Sequence, residues 1–184
     1  MKTTLILIFI LLSTIACSTI SYDEPTTGAL SRVRFATDTE GVVVVNSYSN
    51  SACENEEEWM RIRKGFLVNS SPKSLNIPLA NYHKNAFKEF YIDTKEHKLI
   101  IIKGTSQIGQ KFYSCGVPIK LDFLAEGVDF ELLYNGFANS CNVTVSKISN
   151  IENAYTKIKM QTYINDASKL SNECISVFNN PKLF

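Results

Sequence analysis

The opening of the chain limits the fold more than any other feature. Lys2 precedes an unbroken apolar run over residues 5–12, and small or short side chains then lead to Ala16-Cys17. About eight apolar residues suit the core of an export signal and fall short of the roughly 20 needed to span a bilayer. Residues 1–16 are therefore set apart from the folded body. That body is placed in a compartment where thiols become disulfides.

Without residues 1–16 the chain keeps 168 residues, enough for one domain with a real core. It loses Lys2 as well, which leaves 18 basic residues against 18 acidic ones. A neutral body argues against a nucleic-acid partner, which calls for a basic excess, and against polybasic membrane binding. Cys17 apart, the cysteines are Cys53, Cys115, Cys141 and Cys174, an even number that reads as two disulfides. Three connectivities satisfy four cysteines. The preferred one joins Cys115 to Cys141, which flank what reads as one β-meander, so that Cys53–Cys174 ties the C-terminal segment to the body. No CxxC spacing occurs and neither histidine lies near a cysteine pair, so no metal is expected.

Most of the body carries the period of two that marks strands. Residues 30–37 alternate, residues 38–41 form a turn ending in Gly41, and the β-branched run 42–45 follows, which together read as a hairpin. Residues 54–64 place acids early and bases late, a polarity that complements a helix dipole and predicts one or two helical turns there. In residues 87–94, Phe90 and Ile92 share one face and Glu89, Tyr91 and Asp93 the other. Residues 98–103 are apolar on both faces and read as a central strand, with 104–110 as the next connection. Val117, Ile119, Leu121 and Phe123 alternate with polar residues, as do Val128, Phe130, Leu132 and Tyr134. Val143, Val145 and Ile148 mark a further strand. Residues 166–179 change period, with Ala167, Leu170, Cys174, Val177 and Phe178 at helical spacing. The expected fold is mainly β, an antiparallel β-sandwich or barrel-like domain over residues 29–184 with a C-terminal helix. A polar tether over residues 17–28 precedes it.

No catalytic motif stands out: GxSxG, P-loop, HExxH and GxGxxG are absent. Glu54, Glu56, Glu57 and Glu58 form the densest acidic run and read as a solvated helix start. Glu89 with Asp93, and Glu126 with Asp129, are carboxylate pairs, but spacing alone does not place them in a cleft. His83 and His97 have no nucleophile or metal partner at a recognised spacing. The remaining candidates are binding residues: Tyr82, His83, Tyr91 and Tyr113 on an exposed face or loop, and Trp59 as an anchor or a packing residue. An enzyme is not expected, nor any cofactor.

Leu12-Ser13-Thr14-Ile15-Ala16-Cys17 resembles a bacterial lipobox, with Thr14 where Leu is usual. That resemblance implies acylation of Cys17, including palmitate-type chains, and Ser18 rather than Asp after it implies passage to the outer membrane. With Leu30-Ser31-Arg32-Val33-Arg34-Phe35-Ala36, Phe112-Tyr113-Ser114-Cys115 and Ser140-Cys141-Asn142-Val143-Thr144-Val145, the chain resembles uncharacterised proteobacterial (Acinetobacter-like) lipoproteins. Those motifs are structural and carry no chemistry of their own. The expected role, read from the anchor and the disulfide-stapled body, is a lipid-anchored, periplasm-facing, non-catalytic binding or structural module with an envelope protein as its partner. Tyr113-Ser114-Cys115 also resembles a strand motif of periplasmic lysozyme-inhibitor lipoproteins, which implies an inhibitor or immunity protein against a cell-wall hydrolase as the alternative.

Overall fold

The alternating segments form nine strands among the described residues. The structure, a computed structural model, describes residues 22–65, 73–83, 85–95, 98–137, 140–160 and Cys174. The strands are β1 (Leu30–Thr37), β2 (Gly41–Tyr48), β3 (Glu57–Lys64), β4 (Phe87–Asp93), β5 (Leu99–Ile108), β6 (Lys111–Lys120), β7 (Asp129–Phe137), β8 (Ser140–Ile151) and β9 (Ala154–Lys159). They build one five-stranded sheet, β4-β1-β7-β8-β9, and one four-stranded sheet, β3-β2-β5-β6.

Both sheets contribute to one core. Val33 and Phe35 of β1, Phe90 and Ile92 of β4, Phe130, Leu132 and Tyr134 of β7, and Val143 and Val145 of β8 line one side. Val43 and Val45 of β2, Ile100 and Ile102 of β5, and Val117 and Ile119 of β6 line the other. The arrangement is sandwich-like and mainly β, and the described strands do not close into a barrel.

Several expectations are met in kind but not in detail. β5 lies between β2 and β6 and is buried on both faces, as its doubly apolar sequence requires. Residues 104–110 are not a connection, because β5 runs on to Ile108 and turns through Gly109-Gln110 directly into β6. The helical turns expected within residues 54–64 are strand β3. Its charge order does fit a helix dipole, but pairing with β2 and burial of Trp59, Met60 and Ile62 decide otherwise. A bulge opposite Val45/Asn46 lets the consecutive Trp59 and Met60 both enter the core. The sheet is not wholly antiparallel, since β1 pairs with β7 in parallel, Arg34 opposite Glu131. β9 carries no strong alternation and was not anticipated. Of the expected terminal helix over 166–179, only Cys174 lies within the described residues.

The two disulfides pair as preferred, Cys115–Cys141 and Cys53–Cys174. Cys115–Cys141 joins β6 of one sheet to β8 of the other, so it crosses the core rather than stapling a meander. Beside it the Tyr134 hydroxyl donates to the Cys115 carbonyl at 2.9 Å. The Tyr134 ring fills the space above Gly104, where an added Cβ would meet a ring carbon at 2.4 Å. Tyr22, placed in the tether by its sequence context, is buried against Trp59, with ring centroids 4.4 Å apart.

Candidate functional site

The outer face of the five-stranded sheet brings charged groups together most densely. On a two-period strand every second residue leaves the core, so Val33 and Phe35 turn Arg32 and Arg34 outward. The register then sets two rows across the sheet. One runs Glu89, Arg34, Glu131, Ser146, Lys159, and the other Tyr91, Arg32, Asp129, Ile148, Lys157. In each row an arginine of β1 stands directly beside an acid of β7, the favourable arrangement for cross-strand pairs.

Arg34 is fully buried despite facing away from the core. Its Nε donates to Glu89 Oε1 at 2.9 Å and its Nη1 to Glu131 Oε2 at 2.8 Å. Nη2 donates to the carbonyls of Ile77 and Pro78, and the Phe87 ring lies 5.7 Å from the guanidinium. The second oxygen of Glu89 accepts from the Ser74 hydroxyl and from the backbone N–H groups of Leu75 and Ile77. Residues 73–78 are thereby held over the sheet. In the second row Arg32 clasps Asp129 in a two-pronged pair, both bonds 2.7 Å.

Glu131 links this buried centre to the surface. Its Oε1 accepts from the Tyr82 hydroxyl and from Lys157 Nζ, each at 2.8 Å. Lys157 also donates to the Tyr82 oxygen at 3.2 Å and stands 4.9 Å from that ring's centroid. Burial, reinforced by the Glu131 carboxylate, raises the Tyr82 phenol above its ordinary pKa and keeps it protonated. Two arginines and a lysine thus meet two glutamates and an aspartate, and every acceptor oxygen of Glu89 and Glu131 is engaged. A cluster so fully occupied holds its own side chains and the covering segment in place.

The binding candidates separate on this surface. Tyr82 is half-buried and fixed, and His83 beside it is exposed; its carbonyl accepts from Ala86 N at 2.7 Å. Tyr91 is 37% exposed on the same sheet face, its backbone N–H bonded to Glu24. Tyr113 lies elsewhere, half-buried on β6. Trp59 is a core residue, 1% exposed, and so packs rather than presenting an anchor. Of the two carboxylate pairs, Glu89 is held by Arg34 and Asp129 by Arg32. His97 and Cys17 lie outside the described residues. Among the described residues no group of His, Cys, Asp and Glu is arranged to hold a metal ion. Sequence reasoning missed Arg34, Glu131 and Lys157. Arg32-Val33-Arg34 was a usable signal: two arginines on the polar side of a strand need acids on the neighbouring strands if that side is covered.

No protein-family model, curated protein or solved structure matches the chain.

Proposed function

We propose that this chain is an envelope lipoprotein, anchored through acylated Cys17 to the periplasmic side of the outer membrane, whose sandwich domain is a non-catalytic binding or structural module. The observation that carries the reading is the pairing of all four remaining cysteines into two disulfides. Such bonds persist outside the reducing cytosol, where residues 1–16 would direct the chain. The saturated charge cluster adds weight to the non-catalytic part, because its partners hold one another and a covering segment. A helix over 166–179, with the buried Cys174 on its inner side, completes the domain in this reading. Several acyl chains on one cysteine give a firm anchor, and confinement to a surface raises the local concentration of any partner there. The inhibitor alternative asks for a protruding loop around Tyr82. That side chain is drawn down onto Glu131, so the loop lends the alternative no support.

Growth with labelled palmitate tests the anchor. The wild-type protein should carry label and sediment with membranes, and Cys17→Ala should lose both; an unlabelled wild-type product overturns the reading. A photoreactive residue at Tyr91 tests the module, with a reproducible envelope protein recovered in cells as the expected result. Recovery of lipid and peptidoglycan alone counts against it.

A further inference from the structure

The sheet edges are not equivalent. On β4 the N–H groups of Glu89 and Tyr91 are taken by the Lys73 carbonyl and the Glu24 carboxylate. On β3 the Trp59 carbonyl accepts from Tyr22 N, and β6 is stapled through Cys115 to β8. β9 differs: among the described residues no strand lies along its outer edge. Tyr155 is 50% exposed and Ile158 46%. An uncovered regular edge is a template for another strand.

The hairpin geometry fixes which backbone groups that edge offers. Glu152 and Asn153 both have positive φ, 51° and 65°, and Ile151 pairs with Ala154 across them. This is a two-residue turn of the type whose flanking residues form a hydrogen-bonded pair. Bonding alternates from there, so Ala154, Thr156 and Ile158 address β8, consistent with the Met160 N–H reaching the Val145 carbonyl at 2.9 Å. Tyr155 and Lys157 therefore direct their N–H and C=O groups to the open side.

We propose that β9 pairs antiparallel with β9 of a second copy of this chain, about a twofold axis at Thr156. In this register Tyr155 forms hydrogen-bonded pairs with Lys157 of the second copy, twice by symmetry. The ring then lies beside the methylene stem of Lys157, whose ammonium reaches back across β8 to Glu131. On the other face Ala154 meets Ile158. Lysine never stands opposite lysine, whereas an axis at Lys157 sets that residue against itself, and one at Ile158 sets Lys157 against Lys159. Like charges directly opposite are unfavourable, which excludes those two registers, and of the rest the Thr156 axis pairs the longest stretch of β9, from Ala154 to Ile158. The result joins two five-stranded sheets into one. It does not depend on acylation of Cys17.

At the axis the two Thr156 residues form a non-hydrogen-bonded pair with Cα atoms about 4.5 Å apart, within disulfide reach. The test is Thr156→Cys in the full chain, purified in detergent and oxidised with copper–phenanthroline. The expected result is a band of doubled mass on a non-reducing gel that disappears on reduction. Lys147→Cys on β8, separated from its symmetry mate by both copies of β9, should give none. Tyr155→Pro placed in the Thr156→Cys protein removes an outward N–H that β8 does not use and fixes φ there, and Tyr155→Lys puts lysine opposite Lys157; each should abolish the band. A Thr156→Cys band no stronger than that of the unsubstituted protein or of Lys147→Cys overturns the proposal, as does a band that survives both Tyr155 changes.

Discussion

The two sheets hide their outer faces by opposite means. On the five-stranded sheet Arg34, Glu89 and Glu131 are buried as ions, each neutralised by its neighbours and by the backbone of residues 73–78. On the four-stranded sheet Tyr48, Leu99 and Ile101 form a small apolar cluster closed by the Cys53–Cys174 disulfide. Buried charge tolerates no missing partner, because the remaining ion stays desolvated. Apolar cover loses stability in smaller steps, one contact at a time. The first face should therefore be brittle and the second graded.

The sharpest way to break that contrast is Arg34→Met. It strands two buried carboxylates and is expected to cost about 5 kcal/mol or prevent folding. Chemical denaturation checks it, and a loss as small as that of a surface substitution would show that the ions are hydrated after all. Glu89→Leu should also be costly, since the amides of Leu75 and Ile77 lose their acceptor.

Next comes the double change Cys53→Ala, Cys174→Ala. Its 121-residue separation sets a loop-entropy ceiling of roughly 5 kcal/mol, against roughly 3.5 for the 26-residue Cys115–Cys141 loop. The expected denaturation midpoints fall in that order, and the reverse would mean that the core-crossing bridge contributes more than chain entropy predicts.

Smaller effects compare one tyrosine on each face. Tyr82→Phe removes a bond to Glu131 and Tyr48→Phe a bond to Glu56, and each should cost about 1–2 kcal/mol. The Tyr82 change should also raise protease cleavage within residues 73–83.

The smallest effect is on pH dependence. Burial raises the phenols of Tyr48 and Tyr82, and that of Tyr134 up to about 12, from an ordinary value of 10.0. Above that ordinary value the unfolded chain releases protons that the folded chain keeps. This stability is complete below it and lost as pH rises through the folded values. Thermal midpoints should fall between about pH 10 and 12, and each Tyr→Phe variant should flatten the fall; an unchanged slope in Tyr82→Phe would count against a buried phenol.

Much of the strand pattern was legible. Phe90 and Ile92, Val117 and Ile119, and Phe130, Leu132 and Tyr134 sit inward as their alternation requires, because a core on one side of a strand imposes a period of two. β3 was hidden by its charge order, which a helix would also favour, and by the bulge that breaks its alternation at Trp59 and Met60. β9 was hidden because a solvated edge strand needs no apolar face. The charge cluster was hidden for a different reason. Glu89 and Glu131 look like ordinary outward residues, and their burial comes from a covering segment distant in sequence.

By itself the sequence determined the class of the fold: period-two patterning fixes strands and their inward faces through local stereochemistry and the gain from removing apolar surface from water. It also determined that the cysteines other than Cys17 form an even set. Only the tertiary structure decided that β1 runs parallel to β7, which sets Arg34 beside Glu131 and Arg32 beside Asp129. Register, edge exposure and ion pairing across 55 to 97 residues are properties of strand neighbours, and neighbours are chosen by the packing of the whole domain.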